Sequence, residues 1–221
     1  MERTITLPLL LLLTLAGVKA QQPAPKPTHP MAGRNLLVNG DAEASEGKDA
    51  AAWGDAAYYA DRAGTITAVN YGAPDGVFPK GWGAQNGHGE RCLKATLAKP
   101  GEVRSPEQRI DLTQLADTID QGKARGRIAG QFAAIGNPAL KGHVVVEYRN
   151  ADNKPLLTLR TRQQAWDVSG NEARLVRSSE SGVIPAGTRS AVVYVIALVE
   201  GNAATTGSFV MDDITFDLHL R

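Results

Sequence analysis

The chain has a single cysteine, Cys92, among its 221 residues. It closes no internal disulfide, so its stability has to come from a packed core or a bound ion. Cys92 sits in a strand-like pattern with no histidine near it in sequence, which marks a small buried residue and not a nucleophile. Charge of one sign is also missing. Lys and Arg number 24 against 23 Asp and Glu, a formal net charge of +1, with no basic stripe of the kind a nucleic-acid surface needs. Catalytic signatures are absent too: there is no G-x-S-x-G elbow, no H-E-x-x-H pair and no phosphate loop. The histidines His29, His88, His143 and His219 stand singly, and His88, between two glycines, reads as a turn residue. The adjacent carboxylates Asp212 and Asp213 make no glycosidase pair, because neighbouring strand residues point to opposite faces. Nothing here predicts an enzyme.

Long apolar runs are confined to the front. Leu7 to Val18, broken only by threonine and glycine, follows Arg3 and ends near the small residue Ala20. This is the pattern of a secretory signal peptide over residues 1–20, and it is short of the ~20 apolar residues a membrane span needs. The expectation is a secreted or periplasmic protein with no membrane span in the mature chain. Residues 21–33 then carry Pro23, Pro25, Pro27 and Pro30, an extended spacer, and one domain fills 34–221.

Within that domain strands dominate. Alternating or β-branched patterns cover 63–71, 91–97, 103–112, 125–135, 143–149, 154–161, 172–179, 190–200 and 210–218, separated by turn residues. Asn150-Ala-Asp-Asn153 is the most legible hairpin turn. Residues 190–200 are apolar on both parities, as in a strand buried on both faces. Leu112, Leu115 and Ile119 fall at helical spacing before Gly122, a short helical connection. The fold class is therefore all-β, a two-sheet antiparallel β-sandwich of jelly-roll type with one short helical connection.

The two ends of the domain are its most informative stretches. Asn35-Leu-Leu-Val-Asn-Gly-Asp-Ala-Glu43 reads as an opening strand running into an oxygen-rich turn, and Val210 to Leu218 as a closing strand containing Asp212 and Asp213. Strand parity puts Asp212 on the side of Val210, Ile214, Phe216 and Leu218, where a lone ionised carboxylate is costly. Ca2+, which takes six to eight oxygen ligands, resolves that cost with Asp41, Glu43, Asp212 and Asp213 as ligands. The alternative leaves Asp212 capping a turn or paired with an arginine, and Asp41 and Glu43 solvated.

These two motifs together resemble the opening and closing signature of galactose-binding-like jelly-roll domains, the superfamily that includes many carbohydrate-binding modules. Val69-Asn-Tyr-Gly-Ala-Pro74, Gln108-Arg-Ile-Asp-Leu-Thr113 and Gly182 to Ser190 resemble a bacterial secreted branch of it, so the likeness runs over roughly Arg34 to Leu218. It implies a β-sandwich with a structural calcium near the joined termini, held by Glu43 and by Asp212 or Asp213. It names no ligand.

Sugar-binding modules use flat aromatic faces with polar groups beside them. Trp82, in Gly81-Trp-Gly83, together with Trp166 and Tyr71, are the ligand candidates, while Trp53 is expected in the core. Arg127 and Gln131, joined by Glu147 and Arg149 from a neighbouring strand, form either a polar cleft or a solvated outer face. The sequence thus points to a non-catalytic module with a glycan or cell-surface polysaccharide as partner. The alternative is a protein-interaction or envelope-structural sandwich that binds no sugar, its partner a protein.

Overall fold

The computed structural model describes residues 29–44, 53, 64–72, 78–137, 139–162, 173–199 and 207–221. Among these residues ten strands make two antiparallel sheets facing each other. In the first, the order is β1 (Gly64–Asn70), β2 (Arg91–Leu97), β10 (Ser208–Leu220), β5 (Ala124–Ile135) and β8 (Val176–Val183). In the second, β3 (Gly101–Arg104), β9 (Ser190–Val199), β6 (Leu140–Arg149) and β7 (Pro155–Arg160) run side by side, and β4 (Gln108–Asp111) also pairs with β9. Two short helices complete the described residues: α1 (Trp82–Gln85), and α2 (Ala116–Asp120) after a single 3₁₀ turn (Thr113–Leu115). None is long and apolar enough to cross a membrane. The all-β sandwich expected from the strand patterns is the observed fold.

Strand β9 is the centre of the second sheet. Its inward residues Ala191, Val193, Val195, Ala197 and Val199 join the main core, and its outward ones Val192, Tyr194 and Ile196 form a second buried group. That is why it is apolar on both parities. The single strand expected over 103–112 is two, because Pro106 has no N–H for the ladder. Ser105 bridges the break: its N–H donates to Val195 O and its hydroxyl accepts the Val195 N–H, both at 3.0 Å.

Between the sheets, Phe132 and Phe209 stack at 5.9 Å and Trp53 is fully buried, the structural role expected for that tryptophan. Truncating either phenylalanine to alanine would cost about 3–5 kcal/mol at such a site.

The opening motif does lie beside β10, but as turns and not as a strand. Its polar side chain does the fastening: Asn35 Nδ2 donates to Ile214 O at 3.0 Å, and Asn35 Oδ1 accepts the N–H of Phe216 at 3.0 Å and of Leu37 at 3.2 Å. Backbone bonds from Leu36 N–H to Phe216 O and from Ile214 N–H to Gly40 O complete the attachment. Segment 1–20, most of the proline-rich stretch and Trp166 lie outside the described residues.

Arg127 and Gln131 do not share a face with Glu147 and Arg149. The first two belong to β5 in the first sheet and the others to β6 in the second.

Candidate functional site

The site grows from a break in β10. Asp213 has φ 47, and the register with β5 slips between Asp212 and Thr215, a β-bulge that re-aims the side chains on either side of it. Beyond the bulge Ile214, Phe216 and Leu218 face the main core. Before it, Phe209 and Met211 do, so Val210 points to the other side of the sheet, with Asp212 beyond it on the same parity. The sequence expectation that Asp212 shares a face with Ile214, Phe216 and Leu218 is thus corrected: an unbroken strand was assumed, and the bulge inverts its parity. The expectation that the two aspartates diverge is corrected for the same reason, since oxygens of Asp212 and Asp213 lie with His88 Nδ1 or Nε2 within 4.8 Å of one another.

On this outer side a small second core gathers Tyr71, Phe78, Cys92, Ala133, Ile135 and Val210. Asp212, with no solvent exposure, stands at its edge. Tyr71 donates its hydroxyl to Asp212 Oδ2 at 2.5 Å, and the Asp213 N–H donates to Asp212 Oδ1 at 2.7 Å. Burial pushes the Asp212 carboxyl up to about 8 against the pull of those two hydrogen bonds, and the Asp213 and Glu43 charges push the same way. Burial, then the charge of Asp212, raises the Tyr71 phenol, and burial takes the Cys92 thiol up to about 12. Cys92 is therefore the inert buried residue that the sequence suggested.

Asp213 turns to a different set of partners. Its Oδ2 lies 2.8 Å from His88 Nδ1 and accepts from Gln131 Nε2 at 2.7 Å. His88 in turn stacks on Trp82, with ring centroids 5.4 Å apart and planes 12° from parallel. The histidine read as a turn residue is a member of the site. Its signal in the sequence was weak, because 125 residues separate it from its carboxylate partner.

Trp82 opens helix α1 and is half-buried, with Phe78 at 4.5 Å and Tyr71 at 5.5 Å between centroids. The glycine after it is required: a Cβ on Gly83 would lie 2.2 Å from Tyr71 Cδ2. Tyr71 is 5% exposed and spends its ring within this cluster. A cleft of about 190 Å³ beside α1 is lined by Asn70, Tyr71, Lys80, Gly81, Ala84 and Glu90.

Glu43 enters from the opening motif. Its Oε1 accepts the N–H of Glu90 at 2.9 Å and of Arg91 at 2.8 Å. A Cβ on Gly89 would meet that carboxylate at 2.4 Å, so only glycine lets it approach. Arg91 reaches back to Ala42 O, Asn70 Oδ1 and Ala68 O. Asp41 is exposed, and its Oδ1 lies 3.4 Å from the Glu43 N–H. The structure thus brings Tyr71, Trp82, Asp212 and Asp213 into one cluster with Glu43 at its rim, while Asp41 faces its own loop.

Among the described residues the groups close enough to share a cation are two carboxylates and an imidazole, from Asp212, Asp213 and His88. A carboxyl pushed up by burial, and further by two neighbouring carboxylates, with no ion pair among the described residues, is stabilised as the anion by a positive charge. The second oxygen of Glu43 accepts no hydrogen bond among the described residues, but Glu43 is not part of the close group formed by His88, Asp212 and Asp213.

No protein-family model matches the chain, and no curated protein matches it in sequence. Solved structures share its fold. A cyclase from Fischerella sp. TAU, solved with 4-(1H-indol-3-yl)butan-2-one, superposes with a TM-score of 0.50 at 10% identity, covering 83% of this chain and 96% of that one. The CBM22-2 xylan-binding domain of Paenibacillus barcinonensis Xyn10C gives 0.42 at 14% identity, over 72% and 89%. The enzymatically active domain of bacteriophage CBA120 tailspike protein 4 gives 0.43 at 11% identity over 71% of this chain, which spans 18% of the tailspike chain. At 10% identity the likeness to the cyclase is one of fold alone.

Proposed function

We propose that the protein is a secreted or periplasmic, non-catalytic carbohydrate-binding-like module with a structural calcium site. The observation that carries the reading is the fixed ring of Trp82. It is held by His88, Phe78 and Tyr71, and the cleft beside its helix is lined by Tyr71 together with the amide, ammonium and carboxylate of Asn70, Lys80 and Glu90. An aromatic wall with a few placed polar groups is the chemistry that recognises a sugar ring, and a ring already locked loses little entropy on binding. Carbohydrate-binding modules among the structures of similar fold agree with this reading.

Asp212 and Asp213, with Glu43 at the rim of their cluster, would hold the calcium, and Asp41, facing its own loop, would reach it only through a rearranged turn. The ion would neutralise the buried carboxylate and fasten the opening motif to β10. The test is a glycan-array screen of the full chain in calcium-containing buffer, followed by Trp82→Ala. Binding to one glycan class that is lost in the variant supports the module. A blank array together with a co-purifying protein would move the assignment to a protein-binding sandwich.

A second reading rests on Asp212 itself. A carboxyl held near 8 by burial, bonded to a phenol and flanked by a His88–Asp213 pair, is a proton donor at neutral pH, and such perturbed groups concentrate in active sites. The cyclase of similar fold makes that reading worth testing. Metal and acid chemistry exclude each other at this carboxylate, so turnover that appears only after chelation, and vanishes in Asp212→Asn, would favour the acid.

A further inference from the structure

The outer face of the second sheet carries chemistry that the Trp82 site does not use. Register places His143 opposite Ile196 on one edge of β9 and Arg104 opposite Ile196 on the other. One step along, Val145 lies between Tyr194 and Arg160. The floor of this face is the buried group Val145, Val192, Tyr194 and Ile196. Arg104 lies over it, its guanidinium carbon 3.9 Å from the Tyr194 ring centroid.

His143 is the anomaly. It is 4% exposed, and neither ring nitrogen has a hydrogen-bond partner. Buried polar atoms are nearly always paired, and an orphan one in a native structure points to a missing partner. Burial, then the charges of Arg160 and Arg104, hold its imidazole neutral, with a pKa near 4. A neutral ring offers one N–H donor and one acceptor.

The positive charge beside it is only partly spent: Arg104 pairs with Glu102, and Arg160 has no ion pair among the described residues. Arg104 Nε stands 3.3 Å from Glu102 Oε1 without the alignment of a hydrogen bond. The other nearby carboxylate, Glu147, is already taken by the Tyr194 hydroxyl at 2.8 Å and by Arg149 at 2.7 Å. Among the described residues one unpaired guanidinium, that of Arg160, therefore remains at the His143 end. Arg160 is exposed and the Arg104 side chain is 32% exposed. A ligand reaches the ring only if the side chains over it swing aside.

Resting on the glycan-binding reading, we infer that the His143 end of this face is a subsite for a carboxylate-bearing saccharide, a uronic acid unit. Its carboxylate pairs with Arg104 and Arg160, its hydroxyls meet the orphan nitrogens of His143, and its apolar face lies on Tyr194 and Ile196. Guanidinium groups recognise planar carboxylates by paired charge-assisted hydrogen bonds. The mixed apolar and polar floor suits a sugar ring better than a free inorganic anion.

The experiment is calorimetric titration of the full chain with a galacturonate trisaccharide and with its methyl ester, which removes charge and keeps shape. Inorganic phosphate serves as the bare-anion arm. The acid is expected to bind about tenfold or more tightly than the ester, and Arg160→Gln, a change at an exposed position, is expected to bring the two within about twofold. Full preference retained in Arg160→Gln overturns the subsite, as does phosphate competing as strongly as the saccharide. Equal affinity for acid and ester overturns the subsite alone and leaves the glycan reading standing. Failure to bind either trisaccharide, with a blank glycan array, overturns both.

Discussion

Tyr71 and Asp212, 141 residues apart in sequence, meet at 2.5 Å with the phenol donating to a carboxylate that has no exposed surface. The contact joins the turn after β1 to the strand that closes the fold. Removing the hydroxyl leaves Asp212 with one donor fewer, and Tyr71→Phe is expected to cost about 1–3 kcal/mol. Chemical denaturation of the variant checks this. Because the hydroxyl pulls the Asp212 carboxyl down, a carboxyl-stretch infrared titration should show it rising further in the variant.

Calcium should be visible as stability. At a concentration one hundred times its Kd, the ion would stabilise the fold by about 2.7 kcal/mol, roughly 5–10 °C of melting temperature for a chain of this size. A chelator is expected to remove that increment, and Glu43→Gln to abolish the response. A melt that ignores the chelator counts against the metal.

His143 sets a pH dependence of known sign. An exposed histidine titrates near 6.5, whereas the folded ring is held to about 4. Between those values the unfolded chain takes up a proton that the folded chain refuses, so stability declines as pH falls from 6.5 toward 4. The loss is at most about 3 kcal/mol. His143→Leu is expected to flatten that part of the profile relative to the parent. It should also raise the melting temperature at pH 7, because an unpaired buried polar ring is gone.

Gly83→Ala tests the packing of the tryptophan shelf. The new methyl would stand 2.2 Å from the Tyr71 ring, and such overpacking costs about 1–3 kcal/mol. The expected signature is a shift in Trp82 fluorescence together with weakened Tyr71–Asp212 contact, seen as a change in tyrosine absorbance.

Much of the architecture was legible because strand burial writes itself into the sequence. The doubly apolar run of β9 and the turn chemistry at Asn150 to Asn153 both led to the observed elements. The pairing of the two end motifs was legible as well, from an opening segment and a closing strand that complement each other at the two ends of the domain. Orientation at the site was not. A single residue at φ 47 inverts the parity of β10, and a bulge leaves no mark that alternation can detect. His88 and His143 were missed for a different reason. Their roles depend on partners, or on the lack of partners, brought near them from strands remote in sequence, and no local pattern carries that information.

The attachment of the opening motif to β10 also has a mechanical side. The bonds run in order from Gly33 N–H with Leu218 O, through Leu36 N–H with Phe216 O, to Gly40 O with Ile214 N–H. A pull between Ala32 and Arg221 would load them one after another, like a zipper opened from its end, and would not shear the sheets. A tether strained through these two ends would release the first turns at low force while the sandwich stayed intact. The clasp that builds the Glu43 side of the site is thereby in the line of such a pull.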